Sequence, residues 1–140
     1  MLDRERILAR LDQLDSYLGE LRQVLPDDFA LYQRVARKRA CERLLQLSVE
    51  AALDICHLLV TGLRLGIPAE EVDLLDKLEK AHVLSPRVVG ILKEMRGFRN
   101  ILVHEYTRID DKIVYQIANT RLSDFDVLKH EVVNFLKSYG

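Results

Sequence analysis

Between Leu44 and Leu65 the chain carries two apolar rows at once. One runs Leu45, Val49, Ala52, Cys56, Leu59, Leu63, and the other Leu44, Leu47, Ala51, Ile55, Leu58. Both advance in steps of three and four, the period of a helix rather than of a strand. A helix apolar on two sides must lie between neighbours, so this segment dictates helices packed around a central rod. With the basic stretch before it, the predicted helix runs from Phe29 to Leu65 and closes at Gly66 and Pro68. It would span roughly 55 Å, more than a small globule is wide, so a kink or a projecting end is expected. One of its neighbours is expected to be a second copy of the chain.

The flanking segments read the same way. Ile7, Leu11, Leu14, Leu18, Leu21 and Leu25 mark a first helix from about Asp3 to Leu25, ended by Pro26-Asp27-Asp28. A short acidic helix, Ala69 to Ala81, presents Leu74, Leu75 and Leu78. Ser85-Pro86 opens a fourth helix, serine as cap and proline in the first turn. A last helix from Ser123 to Tyr139 presents Phe125, Leu128, Val132, Phe135 and Tyr139, with Ser123 and Asp126 resembling a capping box. Asp111 to Asn119 is ambiguous, since Ile113-Val114-Tyr115 suits a strand that would have nothing to pair with. At 140 residues the chain is expected to form one domain, 1–140, an all-α antiparallel bundle with a long second helix.

Charge excludes a polycation: 21 Lys and Arg stand against 22 Asp and Glu. Any nucleic-acid contact must come from local patches. Two exist. Arg34, Arg37, Lys38, Arg39 and Arg43 face only Glu42 in sequence, and Arg87, Lys93, Arg96, Arg99 and Arg108 face only Glu94 and Glu105. The compensating acid lies in Glu70, Glu71, Asp73, Asp76 and Glu79. Cys41 and Cys56 fall in one predicted helix, where they cannot bridge each other, and read as small core residues in a reducing compartment. Met1 to Arg6 has no apolar signal region, and Glu50, Asp54, His57 and Arg64 interrupt the most apolar stretch. A cytoplasmic protein without a membrane span is the expectation.

The fourth helix breaks its own pattern. Val88, Leu92 and Met95 are followed in the same row by Arg99, Leu102 and Tyr106. A guanidinium in an apolar seam is costly unless an anion or hydrogen-bond acceptors meet it. Asn100 stands beside it, and His104 follows about 140° round the helix. Gly97, two turns before His104, leaves the backbone open to a ligand or partner. A base, a fixed cationic fork and a phenol suit RNA cleavage. Histidine takes the proton of the 2′-hydroxyl, arginine stabilises the phosphorane-like charge, and no metal is required. Against this stands the plain reading of an arginine paired to a core acid and a histidine capping a helix end.

Arg99-Asn100-x-x-x-His104-x-Tyr106 resembles the Arg-x4-His-x-Tyr motif of the HepT toxins in the HEPN superfamily of helical ribonucleases. Gly97-Phe98 before the motif agrees, as does Arg39-Ala40-x-Glu42-Arg43-Leu44-Leu45-Gln46-Leu47 in the second helix, and the likeness covers nearly the whole chain. The resemblance implies a HEPN-type all-α homodimer with the two motifs facing each other across the interface. It implies metal-independent endoribonuclease activity without a cofactor, and an MNT-type nucleotidyltransferase antitoxin as partner. That antitoxin would transfer AMP onto the motif tyrosine, which Tyr106 matches.

The expected roles follow. His104 is the general base, Arg99 binds the scissile phosphate, Asn100 positions them, and Tyr106 accepts AMP. Lys93, Arg96, Arg39 and Arg43 are candidates for the RNA backbone. Glu50, Asp54 and His57 share a stripe of the second helix but lack metal-binding partners on other helices. Glu50 and Asp54 read either as acids orienting Arg99 or His104, or as part of a polar stripe. The rival is a non-catalytic helical accessory subunit that grips nucleotide with the same corner.

Overall fold

The computed structural model describes residues 1–104 and 108–139. Among them the secondary structure is entirely helical. α1 (Arg4–Val24) begins where the Asp3 carboxylate accepts from the Arg6 amide at 3.1 Å, and it buries Ile7, Leu11, Leu14, Leu18 and Leu21. Leu25 turns extended at its end.

The single long helix expected over 29–65 is two helices. α2 (Phe29–Tyr32) is one turn, capped by the Asp28 carboxylate on the Leu31 amide at 2.8 Å. Arg34 then adopts φ −63°, ψ 128°, which ends the ladder before α3 (Val35–Gly62) starts. The cause of the break is visible in the aromatics. Tyr32 is turned fully inward against Tyr115, 5.1 Å between ring centres, and Phe29 lies 5.6 Å from the same ring. Tyr115 in turn donates to the Pro26 carbonyl at 2.9 Å, tying this corner down. The Tyr32 oxygen is buried without a hydrogen-bond partner among the described residues, and burial pushes the phenol up from its ordinary value.

α3, 28 residues long, is the central rod. α1 runs along it, and α4 (Glu71–Lys80), α5 (Pro86–Val103) and α6 (Asp111–Thr120) also pack on it. The neighbours that two apolar rows demand are thus supplied within the chain, so α3 gives no argument for a second copy. By length and composition α3 could cross a membrane, yet more than half of its apolar window is buried in the fold. Cys41 and Cys56 are both fully buried. Burial pushes their thiols up to about 11 and about 12, so both stay protonated near neutral pH and act as small apolar residues. At the end of α3, Gly62 lets the N-terminal segment approach: a Cβ there would lie 2.8 Å from the Leu2 Cα.

α4 buries Leu74, Leu75 and Leu78. α5 starts as expected, with the Ser85 hydroxyl accepting from the Val88 amide at 3.2 Å and Pro86 in the first turn. Glu131 of α7 (Ser123–Ser138) fixes that cap, accepting from the Ser85 amide at 2.8 Å and hydroxyl at 2.6 Å. The strand option at Ile113-Val114-Tyr115 is overturned. Asp110 caps a helix there, and Val114 and Ala118, one turn apart, are its buried residues. The Ser123–Asp126 capping box does not form either. Leu122 occupies the cap position in helical conformation and makes no side-chain cap bond. α7 buries Phe125, Leu128, Val132 and Leu136, while Phe135 and Tyr139 stack at its edge, 5.5 Å apart.

Candidate functional site

α5 buries Val88, Val89, Leu92 and Met95, and the row then reaches Arg99 and Leu102, both half-buried. The Arg99 side chain is only 12 % exposed. Each of its three nitrogens faces an acceptor. Nη2 donates to Glu71 Oε1 at 2.5 Å, Nε donates to Asn100 Oδ1 at 3.0 Å, and Nη1 lies 4.0 Å from Glu50 Oε1. Glu50 is itself held by Gln46, whose Nε2 donates to it at 3.1 Å. Three helices therefore converge on one guanidinium: α3 through Glu50, α4 through Glu71, α5 through Asn100. These acceptors make the buried cation tolerable, since an unpaired one would cost several kcal/mol.

The sequence places Glu71 only among the compensating acids and does not assign it to Arg99. Its Oε1 also accepts from Arg96 Nε at 3.0 Å, so one oxygen holds two arginines a turn apart. Next along, Lys93 Nζ donates to Asp76 Oδ1 at 2.7 Å, which raises the ammonium above its ordinary value. The compensating acid read from 70–79 does meet the α5 patch: α4, antiparallel to α5, supplies Glu71 and Asp76. A signal was available. The short loop between two amphipathic helices forces them antiparallel, and the residue numbers of the pairs add to nearly the same value.

The other candidates separate. Asp54 is turned toward α1, its Oδ2 3.9 Å from Arg10 Nε, and is not brought to Arg99. His57 is exposed. Arg39 Nη1 donates to Glu42 Oε1 at 2.7 Å, and that hydrogen bond raises its pKa. Arg43 is exposed and has no ion-pair partner among the described residues. Among those residues no three His, Cys, Asp or Glu side chains are grouped to hold a metal.

α5 ends earlier than the seam suggested. Val103 is its last residue, and His104 is the C-cap, extended at φ −84°, ψ 116°, its amide donating to the Asn100 carbonyl at 3.1 Å. The imidazole is at the surface. Tyr106, the expected AMP acceptor, lies outside the described residues. Away from the core, α5 presents a second row at alternating four- and three-residue steps: Gly90, Glu94, Gly97, Ile101, and then His104, all exposed. A Cβ on Gly90 or Gly97 would meet nothing within 4 Å. Two open glycines inside one helix sacrifice about 1 kcal/mol each relative to alanine. Ile101 and Val103 add apolar surface, 44 % and 45 % exposed.

A family model described as Ribonuclease HepT-like matches residues 7–132. The chain is 28% identical over 133 residues to a tRNA nuclease HepT of Aphanizomenon flos-aquae, spanning 93% of this chain and 89% of that protein. It is 28% identical over 129 residues to an mRNA nuclease HepT of Shewanella oneidensis, spanning 89% and 97%. Among solved structures, a tri-AMPylated Shewanella oneidensis HEPN toxin in complex with an MNT antitoxin superposes with a TM-score of 0.85 at 25% identity, covering 91% of this chain and 96% of that one. The cytosolic protein YutE of Bacillus subtilis, of unknown function, shares the fold with a TM-score of 0.83 at 20% identity, over 99% and 93%.

Proposed function

The chain belongs to the HepT-like ribonuclease family, and from that premise we propose that it is a metal-independent endoribonuclease, the toxin of a HEPN/MNT toxin–antitoxin pair. The observation that carries the reading is Arg99, a guanidinium set into an apolar seam with acceptors from three helices around it. Relatives named as tRNA and mRNA nucleases support RNA as the substrate class. In this reading residues 1–140 form one HEPN-like domain.

His104 takes the proton of a 2′-hydroxyl, whose oxygen attacks the adjacent phosphorus. Arg99 meets the charge that develops on the phosphate oxygens, and Asn100 fixes the angle of its fork. The 5′-oxygen leaves with a proton from the second His104 of a homodimer, and a 2′,3′-cyclic phosphate remains. Lys93, Arg96, Arg39 and Arg43 guide the RNA backbone, Arg43 without an acid to displace. Tyr106 is the acceptor of AMP from an MNT-type nucleotidyltransferase, as the AMPylated HEPN toxin bound to its MNT antitoxin supports. An attached AMP would set phosphate charge against the cationic corner and silence it.

The chain, purified alone and given total RNA with a chelator, is expected to cleave it and leave cyclic phosphate ends. Inertness in both the presence and absence of the chelator would favour the accessory-subunit alternative. Co-expression with the nucleotidyltransferase is expected to add AMP-sized mass increments that a Tyr106→Phe variant lacks.

The second copy docks on the Gly90, Gly97, Ile101 row, which leads to His104. Gly97→Leu separates the two states. A Cβ there meets nothing within 4 Å in the isolated subunit, and leucine favours the helix over glycine by about 1 kcal/mol. It would obstruct a partner backbone at the same place. Light scattering is expected to show the parent as a dimer and Gly97→Leu as a folded monomer without cleavage; a Gly97→Leu dimer would remove this interface.

A further inference from the structure

We infer that Arg96 and Arg99 form one phosphate clamp, and that the Glu71 carboxylate occupies it as a resting anion that an RNA phosphate displaces. The identity of the incoming ligand rests on the ribonuclease reading; the clamp itself rests on geometry. A single oxygen, Glu71 Oε1, takes both arginines, at 3.0 Å from Arg96 Nε and 2.5 Å from Arg99 Nη2. One phosphate oxygen between two guanidinium groups makes the same pattern.

The clamp opens on its acid side. Glu71 is 31 % exposed against 12 % for Arg99, so the anion can leave while the cation stays covered. Glu71 also stands in the first turn of α4, on a different helix from both arginines, and no side chain caps that turn. Once it leaves, Arg99 keeps Asn100 on Nε and Glu50 beside Nη1, so its fork stays aimed. Exchange of carboxylate for phosphate never leaves the buried cation bare, which is the costly state. The same exchange keeps the corner from gripping anions too weak to displace the acid.

The test uses two variants of opposite expected sign on a His104→Ala background, which binds RNA without cutting it. Glu71→Gln keeps an oxygen acceptor and removes the charge. It is expected to bind single-stranded RNA about fivefold tighter, with the slope of log affinity against log salt steeper by about 0.7. Arg96→Gln is expected to bind more weakly with a shallower slope. General damage to the fold moves both variants the same way, so weaker binding in both overturns the inference, as does an unchanged salt slope in Glu71→Gln. Inorganic phosphate, followed through the arginine Nε–H signals by NMR, supplies the independent arm. Tighter phosphate binding in Glu71→Gln with no RNA binding in any form sustains the clamp and sinks the ribonuclease reading. RNA cleavage by the parent with no gain in either affinity sinks the clamp alone.

Discussion

Replacing His104 with alanine is expected to lower RNA cleavage by about 10²- to 10⁴-fold, the range that removal of a general base produces. Alanine keeps the backbone amide that donates to the Asn100 carbonyl at the end of α5. RNA affinity is expected to hold, because Arg99 and its acceptors remain. In a dimer with one active and one variant subunit, the proposed mechanism expects a loss of more than half, since it uses one imidazole as base and the partner's as acid. A His104→Ala protein that cleaves at the parental rate would leave the motif without its proton acceptor and end the proposed mechanism.

Arg99→Met is expected to do the reverse of a usual core substitution. The site is a position in an apolar row, between Met95 and Leu102, and methionine fits such a place with little strain. Replacing a buried ion-pair member with a packed apolar side chain is often neutral or stabilising. Here the remaining acid is not stranded, because Glu71 retains Arg96 at 3.0 Å and Glu50 retains Gln46 at 3.1 Å. Tm is expected to stay level or rise by about 3 °C. Cleavage is expected to fall by at least about 10²-fold, the usual loss of one charge-stabilising donor. Arg99→Ala, which leaves a void as well, should lose both stability and activity. Calorimetry and single-turnover cleavage together decide it. A marked drop in Tm for methionine would mean that the guanidinium serves the fold, and the plain reading of a structural ion pair would then account for it.

Helices with a clean period were legible from residue types alone. The α1 face from Ile7 to Leu21 and the Ser85-Pro86 start of α5 are where the pattern put them. The errors share a cause, which is tertiary contact acting where local signals were weak. Nothing in Tyr32-Gln33-Arg34 announces a break; Tyr115, far away in sequence, supplies the packing that draws Tyr32 inward. Ile113-Val114-Tyr115 is β-prone by type, but the Asp110 cap and a neighbouring helix to pack on made a helix of it. The site divided in the same way. Arg99 stood out because it violated an apolar row, and that violation is readable in one dimension. Glu71 violated nothing. A glutamate at the start of an acidic helix is ordinary until the fold lays that helix against α5.

The end of α5 at Val103 splits the motif between two kinds of backbone. The cation-bearing half is bolted to a rod whose seam is buried in the core. The imidazole sits one step past the rod, on chain that has already left the helical path. The bearing of the ring thus follows the extended φ and ψ of His104 itself, and a rotation at that one residue would re-aim it without unwinding a single turn. Such a layout seats the guanidinium and the imidazole independently, so the second can be displaced while the first stays in place.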